Sequence, residues 1–206
     1  MTKQTQIGIK LLVWIACLIP LAQLSLRAFE IGGLTLGPNP VEEVLHELGK
    51  TSLNILLITL AVTPVRLLLG WNWVFRLRRL LGLFSFFYLV LHFLAYALLD
   101  LQLQWSTIFA DIAERPYITV GMLALVGMIP LAVTSTRGMQ RRLGRNWVKL
   151  HKTVYVIAVL GVIHFQWQTK GDAELEPWVY AAILGALLGY RFARWLVRRR
   201  LRAAAG

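Results

Sequence analysis

The sequence predicts an all-α, polytopic membrane protein of six transmembrane helices with both termini in the cytoplasm. Three observations predict it. The 206 residues are 57% hydrophobic, with a mean hydropathy of +0.61. The apolar residues gather in runs near the ~20 residues that cross a hydrocarbon layer of about 30 Å. Basic and acidic residues alternate from loop to loop. The spans are read at 8–28, 45–66, 80–99, 117–136, 149–168 and 177–197, forming one transmembrane domain over residues 1–206. Only short loops and tails remain, so no separate soluble catalytic domain is expected.

Lys3 and Lys10 lead into the first span, which resembles a signal peptide. Its apolar stretch of nearly 20 residues and its lack of an A-x-A site mark it as a retained helix. The second span begins within VEEVLHELGK and ends at Arg66. The third, LLGLFSFFYLVLHFLAYALL from Leu80 to Leu99, has no charged side chain. The fourth runs from RPYITVGM to the basic TSTRGMQRR segment, and the fifth contains TVYVIAVLGVIHFQW. The sixth ends in Arg191, Arg194, Arg198, Arg199, Arg200 and Arg202.

Arg66, Arg76, Arg78 and Arg79 lie between spans two and three, and Arg137, Arg141, Arg142, Arg145 and Lys149 between four and five. The ten acidic residues fall in or beside the other loops: Glu30, Glu42, Glu43, Glu47, Asp100, Asp111, Glu114, Asp172, Glu174 and Glu176. Lys and Arg concentrate in cytoplasmic loops, so both termini are placed there. The net charge of +12 is thus a topology signal, and the short juxtamembrane arginines argue against a nucleic-acid partner. Trp71, Trp73, Trp105, Trp147, Trp167, Trp178 and Trp195 fall near span ends, as in an aromatic belt. Cys17 is the sole cysteine, which excludes an internal disulfide, a CxxCH haem attachment and a four-Cys cluster. It reads as a small buried residue.

His92 and His164 carry the function. An ionisable ring at bilayer depth is costly and marks a functional site, and imidazole is a common axial ligand of haem iron. Spans three and five both climb outward. His92 stands 13 residues beyond Arg79, and His164 stands 13 beyond His151. Each is therefore roughly 20 Å from the cytoplasmic end, at matched depth. No carboxylate lies deep in any span, which argues against a proton-coupled transporter. The pair is expected to ligate one haem inside the bundle, in its outer half. Tyr88 and Gly161 lie one turn before the two histidines. Gly161 is either a gap for a macrocycle edge or an ordinary membrane-helix glycine.

Two further constellations are noted. His151 lies near the cytoplasmic face, where its counterpart on span three is Arg78 rather than a histidine. On a straight helix, His151 and His164 point about 140° apart. His151 with Arg78 is a degenerate second cofactor site, a docking site for an anionic redox partner, or an interfacial pair held near water. His46 lies beside Glu42, Glu43 and Glu47 at the outer end of span two. There His46, Glu43 and Glu47 form either a solvated helix start or the border of a quinone or partner site.

The stretches TLAVTPVR, RLRRLLGLFSFFYLVLHFLAYALLDL, RPYITVGM and TSTRGMQRRLGRNWVKLHKTVYVIAVLGVIHFQW cover most of residues 57–167. In order and spacing they resemble the ferric-reductase-like transmembrane family. Within it they resemble the haem-binding membrane subunits of bacterial methionine sulfoxide reductase systems. The resemblance implies b-type haem on His92 and His164, with His151 a further candidate ligand. It also implies an associated FMN, electrons from the quinone pool and a place in the inner membrane. The implied partner in a heterodimer is a periplasmic molybdopterin-containing reductase that repairs oxidised methionines. In two-haem relatives, the position held here by Arg78 is a histidine.

No G-x-G-x-x-G fingerprint follows a strand, so the electrons must come from quinol or a partner such as a cytoplasmic flavin reductase. The chain is expected to move electrons without itself reducing the sulfoxide. Two routes of entry stand open. One uses a carrier at the cytoplasmic face, with FMN phosphate met by Arg78, Arg79, Arg137, Arg141, Arg142 and Arg145. The other oxidises quinol at the outer face, with His46 and its carboxylates taking the protons. Two rivals also stand: a haem reductase of metal or oxygen fed by a flavin reductase, and a non-redox transporter or assembly factor.

Overall fold

The computed structural model describes residues 2–169 and 175–204, so Asp172 and Glu174 lie outside the described residues. Among the described residues the chain is helical, without a strand. Helix α1 (Lys3–Ala28) is capped by Thr2. Helix α2 (Pro40–Leu69) opens with the Asn39 cap, Pro40 in its first turn, and Glu42 and Glu43 where the helix dipole favours acids. It stops at Gly70, whose φ of 72° suits glycine. A 3-10 turn at Asn72–Leu77 leads into α3 (Arg78–Ala95), which continues as a π turn at Tyr96–Asp100. Then follow α4 (Trp105–Glu114), α5 (Pro116–Val133), α6 (Arg137–Leu143), α7 (Arg145–His151), α8 (Val154–Gln168) and α9 (Glu176–Ala204).

Among the described residues five stretches are long and apolar enough to cross a membrane: Gln4–Ala28, Pro40–Leu69, Asn72–Asp100, Pro116–Val133 and Arg145–Gln168. They coincide with the first five expected spans. Helix α9 covers the sixth but falls outside that set, because arginines crowd its second half. Two local features depart from expectation. An amphipathic helix, α4, stands where only a loop was expected, burying Ile108 and Asp111 while Trp105 and Phe109 face outward. The fifth span is also not one straight helix, since Lys152 and Thr153 form a turn between α7 and α8. The Thr153 hydroxyl donates to the Leu150 carbonyl at 2.7 Å, a local bond that competes with the helical ladder. The 140° separation of His151 and His164 therefore does not apply.

Helix α2 sits at the centre. One of its faces joins α5, α8 and α9 in a core containing Leu53, Leu60, Met128, Ala158 and Leu184. Another joins α1 and α3 around Ile55, Leu81, Phe84 and Tyr88. The antiparallel α2–α3 register is pinned by a reciprocal pair. Ser52 Oγ donates to the Ser85 carbonyl at 2.9 Å, and Ser85 Oγ to the Ser52 carbonyl at 3.0 Å. Small polar residues of this kind let membrane helices approach closely and bond across the interface.

Prolines inside the helices are answered by side chains from neighbours. At the Pro20 bend of α1, the buried Tyr88 hydroxyl donates to the Cys17 carbonyl at 2.6 Å and accepts from Leu21 N–H at 3.2 Å. Such an insertion into the ladder is a recognised cause of helix bending. Pro64 has no N–H for the Leu60 carbonyl. That carbonyl is taken instead by the Arg191 guanidinium of α9, which also donates to the Leu187 carbonyl at 2.7 Å. Arg191 is thus not part of a solvated basic tail. Its replacement by Met leaves a carbonyl unpaired in an apolar setting and should destabilise the protein by about 1–3 kcal/mol. In a Pro64→Ala background, which restores the backbone donor, the same replacement should cost less. A double-mutant cycle of denaturation in detergent measures that coupling.

Candidate functional site

The α2–α3 register decides what faces His92. Two turns outward from Ser52 and Ser85 along their helices, His92 Nδ1 meets the Leu45 carbonyl at 2.9 Å. A carbonyl only accepts, so the proton is on Nδ1 and the Nε2 lone pair stays free. The ring lies against Gly49, where a Cβ would come within 3.2 Å of Cε1 and Nδ1.

His164 on α8 is held the same way by α5. Its Nδ1 donates to the Tyr117 carbonyl at 2.7 Å, and the ring lies against Gly121, where a Cβ would approach to 2.8 Å. Both histidines thus face each other across the bundle at the depth match expected from their positions. The ring centres are 6.1 Å apart and the planes cross at 76°. Neither Nε2 makes a hydrogen bond among the described residues, and neither is sealed in. Two imidazoles bound to one iron through bonds of about 2 Å place their ring centres about 6 Å apart. The pair fits a single bis-imidazole haem iron.

Gly161 does not face this pair. Its missing side chain meets Leu53 Cδ1 at 3.5 Å, an ordinary contact between α8 and α2. Tyr88 is occupied with α1. The glycines that touch the rings, Gly49 and Gly121, belong to the opposite helices and escaped notice. The signal that finds them is a repeated spacing, since 47 residues separate His92 from Leu45 and His164 from Tyr117.

At the α6–α7 end of the bundle, His151 stacks on Trp147 with ring centres 4.0 Å apart. His151 Nε2 lies 3.0 Å from Thr134 Oγ1, whose own proton goes to the Pro130 carbonyl at 2.6 Å. Nε2 therefore donates, and it is committed to the protein. Trp147 Nε1 donates to the Thr134 carbonyl at 2.9 Å, fixing the stack. Arg78 is half-buried at the start of α3, near enough for its charge to act on His151, and makes no hydrogen bond or ion pair among the described residues. Arg79, Arg141, Arg142 and Arg145 are exposed and likewise unpaired among the described residues.

At the opposite end, where α2 begins, Glu42, Glu43, His46, Glu47 and Lys50 line a recess of about 360 Å³. Arg27 pairs closely with Glu43 and more loosely, at 3.8 Å, with Glu47. The Gln168 amide donates to His46 Nε2 at 2.5 Å, and Lys50 meets Glu176 at 2.6 Å. The expected trio of His46, Glu43 and Glu47 is thus gathered at one recess. His46 directly follows Leu45, whose carbonyl holds His92. A second polar cluster was not anticipated. Buried Asp111 accepts from the Tyr96 hydroxyl at 3.1 Å and pairs with Arg115 at 3.3 Å. The Tyr117 hydroxyl and then the Asp111 carboxylate push the Arg115 guanidinium up, keeping it charged. The apolar spacing Trp105, Ile108, Phe109 and Ile112 was the available signal for the α4 helix carrying Asp111.

Residues 48–162 match the family model described as "Ferric reductase like transmembrane component". His92 and His151 fall inside that match, and His164 lies just beyond it. The chain is also similar to proteins named "Protein-methionine-sulfoxide reductase heme-binding subunit MsrQ". That of Rhodospirillum rubrum is 50% identical over 192 residues, covering 93% of this chain and 90% of the relative. That of Xanthomonas euvesicatoria pv. vesicatoria is 47% identical over 205 residues, covering 98% and 94%. That of Xanthomonas axonopodis pv. citri is 46% identical, with the same coverage.

Asp111→Ala takes the shared acceptor from Tyr96 and Arg115 and should loosen α4. Hydrogen exchange of residues 105–114 in nanodiscs should show protection lowered by about 1–3 kcal/mol. Unchanged protection would mean that the carboxylate does not hold this helix.

Proposed function

Because the chain belongs to the ferric reductase like transmembrane family, and to the MsrQ subunits within it, we propose that His92 and His164 are the axial ligands of one b-type haem and that the chain is an electron-transfer subunit. The single observation that carries this reading is the histidine pair: ring centres 6.1 Å apart, each Nδ1 given to a carbonyl, each Nε2 free. Paired imidazoles whose outer nitrogens are tied to backbone oxygen are the usual support of a metal site, because that bond fixes tautomer and orientation. Bound there, haem supplies one-electron transfer between ferric and ferrous states.

The reading extends to topology and partners. Helix α9 is the sixth span, its arginine-rich end lies in the cytoplasm with the N-terminus, and the membrane is the bacterial inner membrane. The haem then lies in the outer half, nearer the periplasm. Its electrons serve a methionine sulfoxide reductase, the acceptor that the relatives' name supports, which on this reading is a periplasmic molybdopterin enzyme carrying the sulfoxide-reducing site. Entry at the outer face is favoured by the recess lined by His46, the residue after Leu45, whose carbonyl holds His92. There His46, Glu43 and Glu47 take the protons released when a quinol is oxidised. A second route is favoured by the unpaired Arg78, Arg79, Arg141, Arg142 and Arg145, which suit the phosphate of an FMN at the cytoplasmic face.

Haem counted per chain tests the assignment. His92→Ala and His164→Ala should each abolish haem retention, whereas His151→Ala should leave most of it, since His151 Nε2 is bonded to Thr134. Equal loss in all three would contradict the assignment. In purified protein, a reduced-minus-oxidised spectrum should develop when quinol is added. Haem that ignores quinol would favour a metal or oxygen reductase fed by a flavin reductase, and colourless protein from haem-replete cells a non-redox role.

A further inference from the structure

The two histidines rest on seats of identical construction. Each seat is a carbonyl and a glycine four residues later on the neighbouring helix: Leu45 and Gly49 on α2, Tyr117 and Gly121 on α5. Residues four apart lie one above the other on a helix, and the later N–H donates to the earlier carbonyl. The Leu45 and Tyr117 oxygens thus each serve two donors, their own helix and an imidazole, as two lone pairs allow. Below each carbonyl the bare glycine lets the ring lie flat against the backbone.

The contacts set these two glycines apart. A Cβ on Gly121 would stand 2.8 Å from His164 Nδ1 and 2.9 Å from Cε1, and one on Gly49 would stand 3.2 Å from the same atoms of His92. A histidine ring whose nitrogen is tied to a carbonyl has no free rotor with which to move away. At the other glycines with a close neighbour, that neighbour is not a ring tied to a carbonyl: Leu53 at 3.5 Å from Gly161, Thr59 at 3.9 Å from Gly82, Ile157 Cγ1 at 3.0 Å from Gly127 and Glu43 Oε2 at 3.1 Å from Gly37.

We propose that Gly49 and Gly121 are positioning residues of the haem site, bare surfaces that set the plane and the metal-facing nitrogen of His92 and His164. The proposal rests on the haem reading given under Proposed function. The two seats differ in tightness. Gly121 presses closer, and its histidine makes the shorter hydrogen bond, so His164 is the rigid ligand and His92 the compliant one.

Full-length protein in nanodiscs provides the test. Gly121→Ala should displace the His164 ring and weaken haem retention about tenfold or more, in the range seen when the support of a metal ligand is removed. The haem that remains should bind carbon monoxide when reduced, because its sixth position has opened. Gly49→Ala should do the same more mildly, and Gly161→Ala should match the parent. A second arm removes any concern about folding. His164→Gly protein should lose its haem as His164→Ala does, and haem added together with free imidazole should rebuild a six-coordinate spectrum, the imidazole occupying the vacated place. Adding Gly121→Ala should weaken that imidazole binding about 10–100-fold, although the protein now has spare room there. Equal imidazole affinity with and without Gly121→Ala, or a Gly121→Ala haem as inert to carbon monoxide as that of Gly161→Ala, overturns the proposal. Haem retained in His164→Ala protein overturns the haem reading itself.

Discussion

An imidazole at membrane depth has two nitrogens to satisfy, and in this bundle each ring solves half of that problem with a backbone carbonyl. The Leu45 carbonyl takes Nδ1 of His92 and the Tyr117 carbonyl takes Nδ1 of His164, leaving both Nε2 lone pairs free on rings whose centres lie 6.1 Å apart. The rest of the structure keeps this arrangement in register. The Ser52–Ser85 pair locks α2 against α3, so that two turns further out His92 can face only Leu45 and Gly49. A slip of one residue would rotate the imidazole off its carbonyl by about 100°.

Helix α2 has to serve both halves of the bundle, and its proline shows how. Pro64 costs the helix one internal hydrogen bond, and Arg191 of α9 repairs it while binding the last helix to the first core. The Tyr88 hydroxyl does equivalent work at the Pro20 bend of α1. In both places a backbone group that a proline leaves irregular becomes an attachment point for a distant helix. Intramembrane polar side chains are read by default as functional. Arg191 and Tyr88 show the structural alternative, in which the partner is a backbone group exposed by a bend.

Much of this was legible from sequence because bilayer thickness and helix rise are fixed numbers. They point to six spans, five of which are long and apolar enough among the described residues, and to the matched depth of His92 and His164. The glycine seats were hidden, because contact between Gly49 and His92 depends on how two helices are rotated against each other, which hydropathy does not encode. The bend at Lys152–Thr153 depends on one hydroxyl reaching back to Leu150, and α4 is too short to stand out from its loop. Gly161 shares a helix with His164, yet helices in a bundle are read by what faces them, and Gly161 faces Leu53. The commitment of His151 to Thr134 was equally invisible, since it joins α7 to the end of α5.

The central claim is that one iron is held between His92 and His164, with ring planes crossed at 76°. Crossed axial imidazoles leave the two iron d orbitals of π symmetry nearly equal in energy, which gives ferric low-spin haem an extreme anisotropy. The electron paramagnetic resonance spectrum of the oxidised, membrane-embedded protein reads this directly. The account predicts a single strongly anisotropic low-spin species at low field. A ferric high-spin signal, or the three well-separated lines of parallel imidazoles, would contradict it.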